Sequence, residues 1–217
     1  MHKTIHNLAL VTDQIKSKFI NSKNPNIIAV SKTFSMPDIT PLIENGHVHF
    51  GENKVQESVD KWTNIKKTHQ HIKLHMIGKL QTNKVKYAIP LFDYIHSVDN
   101  FKLAKKIALE QEKHKKFLKI FIQVNIGNEN QKNGLTINDL ENFYKKCTQE
   151  LKLNIIGLMC IPPANKEVNQ YFKKMVDLNK TLNLKDLSMG MSEDYMEAVS
   201  CGATYIRIGS KIFGKRF

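Results

Sequence analysis

Short apolar runs alternate with longer amphipathic runs along the chain. The apolar runs are rich in β-branched residues, which is typical of short buried strands. The longer runs repeat their apolar residues at helical spacing, as in Phe101 to His114, where positions 101, 103, 104, 107 and 108 are apolar. Strands are therefore predicted at 27–31, 47–50, 71–77, 94–98, 120–125, 155–161, 186–189 and 205–208.

The predicted helices lie between these strands, and several carry recognisable end signals. Gly46 follows one of them as a C-cap, and Pro90 is expected to close another. A further amphipathic helix precedes the first strand. The other predicted helices span 37–45, 55–67, 82–88, 101–114, 138–149, 165–181 and 192–200.

Alternation of strands and helices predicts a parallel sheet with helices packed against it. Eight such units close naturally into a (β/α)8 TIM barrel. An open doubly wound sheet is the alternative, but it usually has fewer strands, and no G-x-G-x-x-G turn follows a strand here. We expect residues 1–217 to form one α/β barrel domain with an extra N-terminal helix.

A lysine ends the first predicted strand, in the stretch I-I-A-V-S-K. Because strand side chains alternate, Ile28, Val30 and Lys32 share one face. If Val30 points inward, Lys32 points into the barrel mouth, where active sites of this fold lie. Burial there would lower the pKa of the amine, and a neutral amine can attack a carbonyl to form a Schiff base. The alternative is a lysine at the rim with its ammonium group in water.

Glycines and hydroxyl side chains follow strands seven and eight, where barrel enzymes commonly hold a phosphate. Gly190 and Ser192 belong to L-S-M-G-M-S-E-D, and Gly209, Ser210 and Gly214 belong to R-I-G-S-K-I-F-G. Glycine allows sharp turns and close approach of the backbone, and serine offers a hydroxyl. Each feature has an ordinary structural alternative, such as Ser192 acting as a helix N-cap. Their joint placement favours phosphate binding.

Arg207 is one of only two arginines in the chain, and it lies in an apolar strand on the same face as Tyr205. Strand eight neighbours strand one in a closed barrel, so Arg207 and Lys32 can share the rim. Arginine stays charged and offers a planar set of donors. The alternative is a core arginine paired with a carboxylate from another strand.

The net charge of +13 raises the possibility of nucleic-acid binding. The positive residues are almost all lysines, spread along the chain among acidic residues, whereas base and phosphate recognition favours arginine. We therefore expect no nucleic-acid partner. No uninterrupted apolar run reaches about 18 residues, so no membrane span is expected.

Cysteine and histidine positions give no metal or redox motif. Cys147, Cys160 and Cys201 lack metal or disulfide spacing, which favours reduced thiols in a cytoplasmic protein. His69, His71 and His75 would share one face of a strand, but no carboxylate or thiol lies in register with them, so no metal is expected.

Six motifs together resemble those of the YggS/PROSC family of pyridoxal 5′-phosphate (PLP) homeostasis proteins. They occur in the family's order between Ile28 and Gly214, and Ser210 stands where threonine is also common. The motifs are A-V-S-K-T, H-F-G-E-N, H-M-I-G-K-L-Q-T-N-K, V-N-I-G-N-E-N-Q-K-N-G, L-S-M-G-M-S-E-D and R-I-G-S-K-I-F-G.

The resemblance implies a barrel like the N-terminal domain of alanine racemase, with PLP as its cofactor. It implies that Lys32 forms a Schiff base with PLP and that Arg207 faces the pyridine nitrogen. The other cofactor-binding residues implied are Ser192, Gly209 and Ser210 at the phosphate, with the Met191 backbone, and Asn53 and Met76 along the ring.

An arginine at the pyridine nitrogen disfavours ring protonation and so weakens PLP as an electron sink. Alanine racemases share this arginine but add a second domain that supplies a tyrosine base, whereas this chain ends three residues after Gly214. We expect a monomeric cytoplasmic carrier or buffer of PLP without substantial turnover, with amines or PLP-dependent apoenzymes as acceptors.

Two enzymatic alternatives stay open at this point. A minimal amino-acid racemase would need acid–base chemistry from a rim residue such as Tyr205 or His75. A phosphate-sugar aldolase or isomerase would use Lys32 to bind a substrate carbonyl directly.

Overall fold

The strands form a closed parallel barrel in sequence order, which confirms the predicted fold class. The structure is a computed structural model that describes residues 1–20, 24–129, 131–163 and 167–214. The strands are β1 (Asn26–Val30), β2 (His49–Glu52), β3 (Lys73–Met76), β4 (Tyr94–Val98), β5 (Lys119–Val124), β6 (Ile155–Cys160), β7 (Asp186–Met191) and β8 (Tyr205–Ile208).

Helices cover the outside of the barrel, and one precedes β1 as expected. A 3-10 turn (Thr82–Lys84) leads into the fourth helix, and a π-helical segment (Lys146–Glu150) continues the sixth. The α-helices are α1 (Lys3–Lys18), α2 (Met36–Glu44), α3 (Val55–Thr68), α4 (Val85–Leu91), α5 (Phe101–His114), α6 (Leu140–Lys145), α7 (Val168–Thr181), α8 (Tyr195–Ser200) and α9 (Ser210–Phe213).

Several boundaries differ from the predicted ones for identifiable reasons. The second strand begins at His49 rather than His47, because the backbone N–H of His47 donates to Leu42 O and that of Gly46 to Ile43 O. These two bonds close the end of α2 as a Schellman motif, with Gly46 at a φ of 81°. Pro90 lies inside the last turn of α4 rather than after it.

Two other predicted helices begin later in the structure. The helix predicted at 192–200 begins at Tyr195, because Ser192 belongs to the loop after β7, where its hydroxyl accepts the backbone N–H of Gly209 just after β8. The helix predicted from position 165 begins at Val168, and position 165 lies outside the described residues.

The barrel interior is unusually polar for this fold, whose interior is normally filled by branched apolar side chains. A small apolar cluster occupies one part of it: Ile28, Tyr94, Phe121, Met159 and Tyr205. Buried polar side chains fill another: His75, His96, Ser188 and Arg207. Because Ile28 points inward, alternation directs Val30 and Lys32 to the same side of β1, as predicted.

The main apolar core lies between the strands and the surrounding helices, and it includes fully buried Trp62, Phe50 and Phe172. None of the helices in the described ranges has both the length and the apolar content to cross a bilayer.

The close approach of β6 to β7 gives a test of the barrel packing. A Cβ atom on Gly157 would lie 1.9 Å from the backbone oxygen of Asp186, its partner on β7. Neither backbone can move without disturbing the sheet, so Gly157→Ala should lower the free energy of unfolding by about 3 kcal/mol. Urea denaturation measures this change.

Gly202→Ala is the matched control. Gly202 has a φ of 94°, and an added Cβ would meet no atom within 4 Å. This variant should lose only about 1 kcal/mol, from backbone strain. Equal losses in the two variants would contradict the close β6–β7 approach.

Candidate functional site

A cavity of about 1120 Å³ opens at the carboxyl ends of the strands. Seven of the residues singled out by sequence line it, and they come from distant parts of the chain. They are Lys32, Asn53, Met191, Ser192, Arg207, Gly209 and Ser210.

Met76 is the residue at which the structure departs from the expectation. Its side chain is buried in the core between the strands and the helices, and the cavity wall is formed by Ile77 and Gly78 instead. The reason is the alternation of strand side chains: His75 points into the barrel, so Met76 must point out. A Cβ on Gly78 would lie 2.5 Å from Asn53 O, so this glycine allows the two loops to meet.

Lys32 lies two residues after the end of β1, and both of its neighbours in the chain are held by hydrogen bonds. The backbone N–H of Ser31 donates to Gly51 O at 3.0 Å, and its hydroxyl donates to Glu52 Oε1 at 2.8 Å. The backbone N–H of Thr33 donates to Glu57 Oε1 at 2.7 Å. Thr33 has a φ of 68°, a conformation that a β-branched residue rarely adopts. The backbone that carries Lys32 is therefore fixed from both sides.

Glu52 is the centre of this arrangement and was missed by sequence reasoning. It is fully buried, and its Oε1 accepts hydrogen bonds from Lys61 Nζ at 3.1 Å and Trp62 Nε1 at 2.9 Å, besides the Ser31 hydroxyl. Lys61 Nζ also donates to Ser31 O at 3.0 Å. A buried carboxylate is tolerated only when it is paired in this way. An acid on the outer face of β2, opposite a helix with both lysine and tryptophan, was the available signal.

Arg207 is buried inside the barrel mouth and bonds only neutral oxygen acceptors. Its Nη1 donates to Ser188 Oγ at 2.8 Å, and its Nη2 donates to Cys160 O at 2.9 Å. It forms no ion pair with a carboxylate in the part of the chain that the structure describes. Burial lowers the pKa of the Arg207 guanidinium, and the charge of Asp194 opposes this. Arginine nevertheless stays protonated in proteins, so the site contains a fixed cation.

The loops after β7 and β8 are tied together where a phosphate was predicted. The backbone N–H of Gly209 donates to Ser192 Oγ at 3.3 Å, so Ser192 is not the helix N-cap considered as its alternative role. Asp194 accepts the backbone N–H of Met191 at 2.6 Å, and burial raises the pKa of its carboxyl group. Gly190, with a φ of 88°, leaves no room for a Cβ beside Ala198.

Asn53 supplies an independent sign of a polar ligand. Its Oδ1 is buried and has no hydrogen-bond partner among the described residues, although buried polar atoms normally have one. The cavity therefore combines an amine, a fixed cation, serine hydroxyls and an unsatisfied acceptor. This set suits a ligand that carries an anionic group, a carbonyl carbon and a hydrogen-bond donor.

Comparison with known proteins agrees with this geometry. The family model of the alanine racemase N-terminal domain matches residues 5–216. A "Pyridoxal phosphate homeostasis protein" of Pasteurella multocida is 34% identical, with 97% of this chain and 96% of that protein covered. The protein of the same name from Escherichia coli is 32% identical, with 100% and 98% covered. The chain belongs to the alanine racemase N-terminal domain family.

Two solved structures are similar to this protein in fold. PipY of Synechococcus elongatus, described with PLP bound, has a TM-score of 0.87 and 32% identity, with 97% of this chain and 100% of that one covered. An alanine racemase of Clostridium difficile has a TM-score of 0.76 with 13% identity, and covers 99% of this chain and 57% of that one. At that identity the racemase shows the shared barrel fold alone.

The buried tyrosine, histidine and cysteine side chains of the barrel interior lie outside the described lining of the cavity. The Tyr205 hydroxyl donates to the Tyr94 hydroxyl at 3.5 Å, and His75 lies between two other histidines in the barrel interior. Burial raises the pKa of the Cys160 thiol to about 12, so this thiol is unreactive near neutral pH. No group of three potential metal ligands occurs within the described ranges.

The role of Glu52 can be tested by removing its charge. Glu52→Gln breaks the buried pair with Lys61 and leaves the ammonium with only the partly exposed Glu57 as a counter-charge. The free energy of unfolding should fall by about 3 kcal/mol, as measured by urea denaturation.

Glu57→Gln serves as the control, because Glu57 also bonds Lys61 but its side chain is 28% exposed. A glutamine oxygen can still accept the Thr33 N–H, so the loss should be below about 1 kcal/mol. If Glu52→Gln were as stable as Glu57→Gln, the buried network would not fix the end of β1.

Proposed function

We propose that this protein binds PLP in the cavity at the carboxyl ends of its strands, and that it takes part in PLP homeostasis. The observation that carries the proposal is the convergence of Lys32, Arg207 and the loop of Ser192 and Ser210 on one cavity. PLP fits these groups, because it combines an aldehyde, a phosphate and a basic ring nitrogen. The names of the relatives and the PLP-bound PipY structure support the same ligand.

Each group has a distinct role in this proposal. Lys32 adds to the aldehyde carbon of PLP and water leaves, so the amine holds the coenzyme through a Schiff base. Because another amine can displace Lys32, the bond is a reversible tether. Bound PLP supplies an electrophilic carbon that forms imines with amines.

The remaining residues hold the ends of the coenzyme. Ser192, Gly209 and Ser210 bind the phosphate, with the backbone of Met191. Arg207 donates toward the ring nitrogen, and a cation there disfavours protonation of that nitrogen. Asn53 Oδ1 is a buried acceptor that a bound ligand could satisfy.

We also propose that the protein carries PLP rather than turning over substrate at a useful rate. An unprotonated ring nitrogen stabilises a carbanion poorly. The two side chains that a minimal racemase was expected to use, Tyr205 and His75, are buried below the cavity. The described cavity lining contains no tyrosine, histidine or cysteine. Amines or PLP-dependent apoenzymes are the acceptors that suit a reversible tether.

Absorbance tests the binding proposal. Wild-type protein with added PLP should show a band near ~420 nm, typical of a PLP Schiff base, and Lys32→Ala should lack it. Lys79→Ala is the control, because Lys79 is exposed and follows Gly78 in the cavity wall. It should keep the band. A wild type without the band, or a Lys32→Ala variant that retains it, would contradict the proposal.

Isotope exchange tests the absence of turnover. Wild-type protein with PLP should release α-deuterium from labelled alanine no faster than free PLP at the same concentration. Saturable release that disappears in Lys32→Ala would favour a minimal amino-acid racemase instead.

A further inference from the structure

A continuous line of hydrogen-bonded side chains runs through the barrel interior to Arg207. His49 Nδ1 lies 2.9 Å from His75 Nε2, and His75 Nδ1 lies 2.9 Å from His96 Nε2. His96 Nδ1 lies 2.8 Å from Ser188 Oγ, which accepts from Arg207 Nη1. We refer to His49, His75, His96 and Ser188 as the histidine chain. It starts on β2 at a half-buried residue and ends at the guanidinium beside the cavity.

The hydrogen-bond capacity of Ser188 fixes the direction of the chain. Arg207 can only donate, so Ser188 Oγ is an acceptor in that bond. Ser188 is fully buried, and its single hydrogen finds an acceptor only at His96 Nδ1 among the described contacts. The opposite direction would put two donors on Ser188 and leave its own hydrogen unpaired, which is costly in a buried site.

The direction of the Ser188 bond determines the tautomer of every ring. His96 accepts at Nδ1 and must donate from Nε2 to His75, and His75 must in turn donate from Nε2 to His49. All three rings are then neutral with hydrogen on Nε2. Their surroundings favour this state, because burial lowers the pKa of His75 and His96 well below the usual value and that of His49 to about 4.

Charged neighbours act in the same sense at both ends of the chain. The positive charge of Arg207 further disfavours protonation of His96. At the other end, positive neighbours disfavour protonation of His49 and only Asp93 favours it. The groups around His49 are His47, Lys73, Asp93 and Lys119, with the rings of Tyr94 and Tyr205 packed against it.

In a chain of this direction, every side chain has its acceptor atom on the side nearer to Arg207. Each ring has its acceptor nitrogen toward Arg207 and its N–H away from it, so the three dipoles are aligned. Aligned hydrogen bonds strengthen one another in a buried site. The buried cation is thus stabilised without a carboxylate, and its positive charge remains directed at the cavity.

We propose that the histidine chain positions Arg207, and that loss of the acceptor at its far end, His49, is transmitted to the coenzyme site. Ser188, His96, His75 and His49 are positioning residues, because they act through Arg207. This inference rests on the proposed binding of PLP. The inference adds that protonation of the coenzyme ring nitrogen depends on side chains that lie deeper in the barrel interior, as far as His49 at the start of β2.

The direction of the chain can be measured without PLP. Nitrogen-15 NMR of protein labelled at histidine should show His49, His75 and His96 as neutral rings with hydrogen on Nε2 at neutral pH. Hydrogen on Nδ1 of His75 or His96 would overturn the proposal. The NMR result tests the direction of the histidine chain alone, because no PLP is present. The proposed binding of PLP is tested separately, by the presence of the Schiff-base band in the wild type.

A matched pair of variants at His49 tests transmission through the chain. In His49→Gln the side-chain oxygen can still accept from His75, so tautomers and PLP affinity should stay within about twofold of wild type. In His49→Leu the acceptor for His75 is lost. The hydrogen of His75 and of His96 should then shift from Nε2 to Nδ1, and PLP should bind about fivefold more weakly. His49 is half-buried, so both variants are expected to fold. Equal PLP affinity in the two variants would overturn the proposal.

Ser188 provides the test next to the coenzyme. Ser188→Ala removes the acceptor of Arg207 Nη1 and should weaken PLP binding about tenfold. With nitrogen-15 in the pyridine ring of PLP, this variant should also show a more readily protonated ring nitrogen, whereas Ser188→Thr restores the wild-type signal. A purely structural role would lower thermal stability without moving that signal, and this outcome would contradict the proposal.

Discussion

Pairing of β1 with β8 is the constraint on which the site depends. The register sets Ile28 opposite Arg207 and Ala29 opposite Ile208, so the ends of the first and last strands meet at one edge. In an open sheet of the same strands, the two would lie at opposite ends. Closure of the barrel therefore brings the amine of Lys32, the cation of Arg207 and the loop of Ser210 to one cavity. Chain segments almost 180 residues apart form one binding surface only through this pairing.

The pattern of apolar residues was enough to predict the barrel and the direction of Lys32. Eight strands alternate with helices, and period-two alternation in β1 places Lys32 on the side of Ile28, which packs in the barrel interior. The same rule could have excluded Met76 from the cavity, because His75 and Met76 cannot face the same side. The expectation for Met76 followed from the family resemblance, whereas strand alternation directs its side chain away from the cavity. The monomeric state and the single-domain extent stay predictions.

Contacts between strands could not be derived from the sequence. The histidine chain requires His75 and His96 to lie at matching heights on β3 and β4, and Ser188 on β7 to reach both His96 and Arg207. The height of His75 relative to His96 follows from the β3–β4 register, which sets His75 opposite Tyr94. The β4–β5 and β7–β8 pairs contain register shifts as well. Such irregularities leave little signal in a single sequence. The sequence therefore presents His69, His71 and His75 only as a metal site, which is not expected, and it shows no connection between His75 and His96.

Charge is handled differently on the two sides of the site. Behind Lys32, a buried carboxylate with several donors fixes the backbone, and its charge is neutralised by Lys61. Behind Arg207, only neutral acceptors are present, so the positive charge stays available to the ligand. The first arrangement fixes an amine in place, and the second preserves a cation. Together they suit a coenzyme that is held covalently at one end and whose ring nitrogen stays unprotonated.

Borohydride reduction of the PLP-treated protein, followed by peptide mass analysis, tests the central claim most directly. Reduction converts the Schiff base into a stable amine at the residue that formed it. The account predicts a phosphopyridoxyl group on Lys32 and none on the same peptide of Lys32→Ala. Modification at other lysines with Lys32 unmodified, or no modification at all, would contradict it.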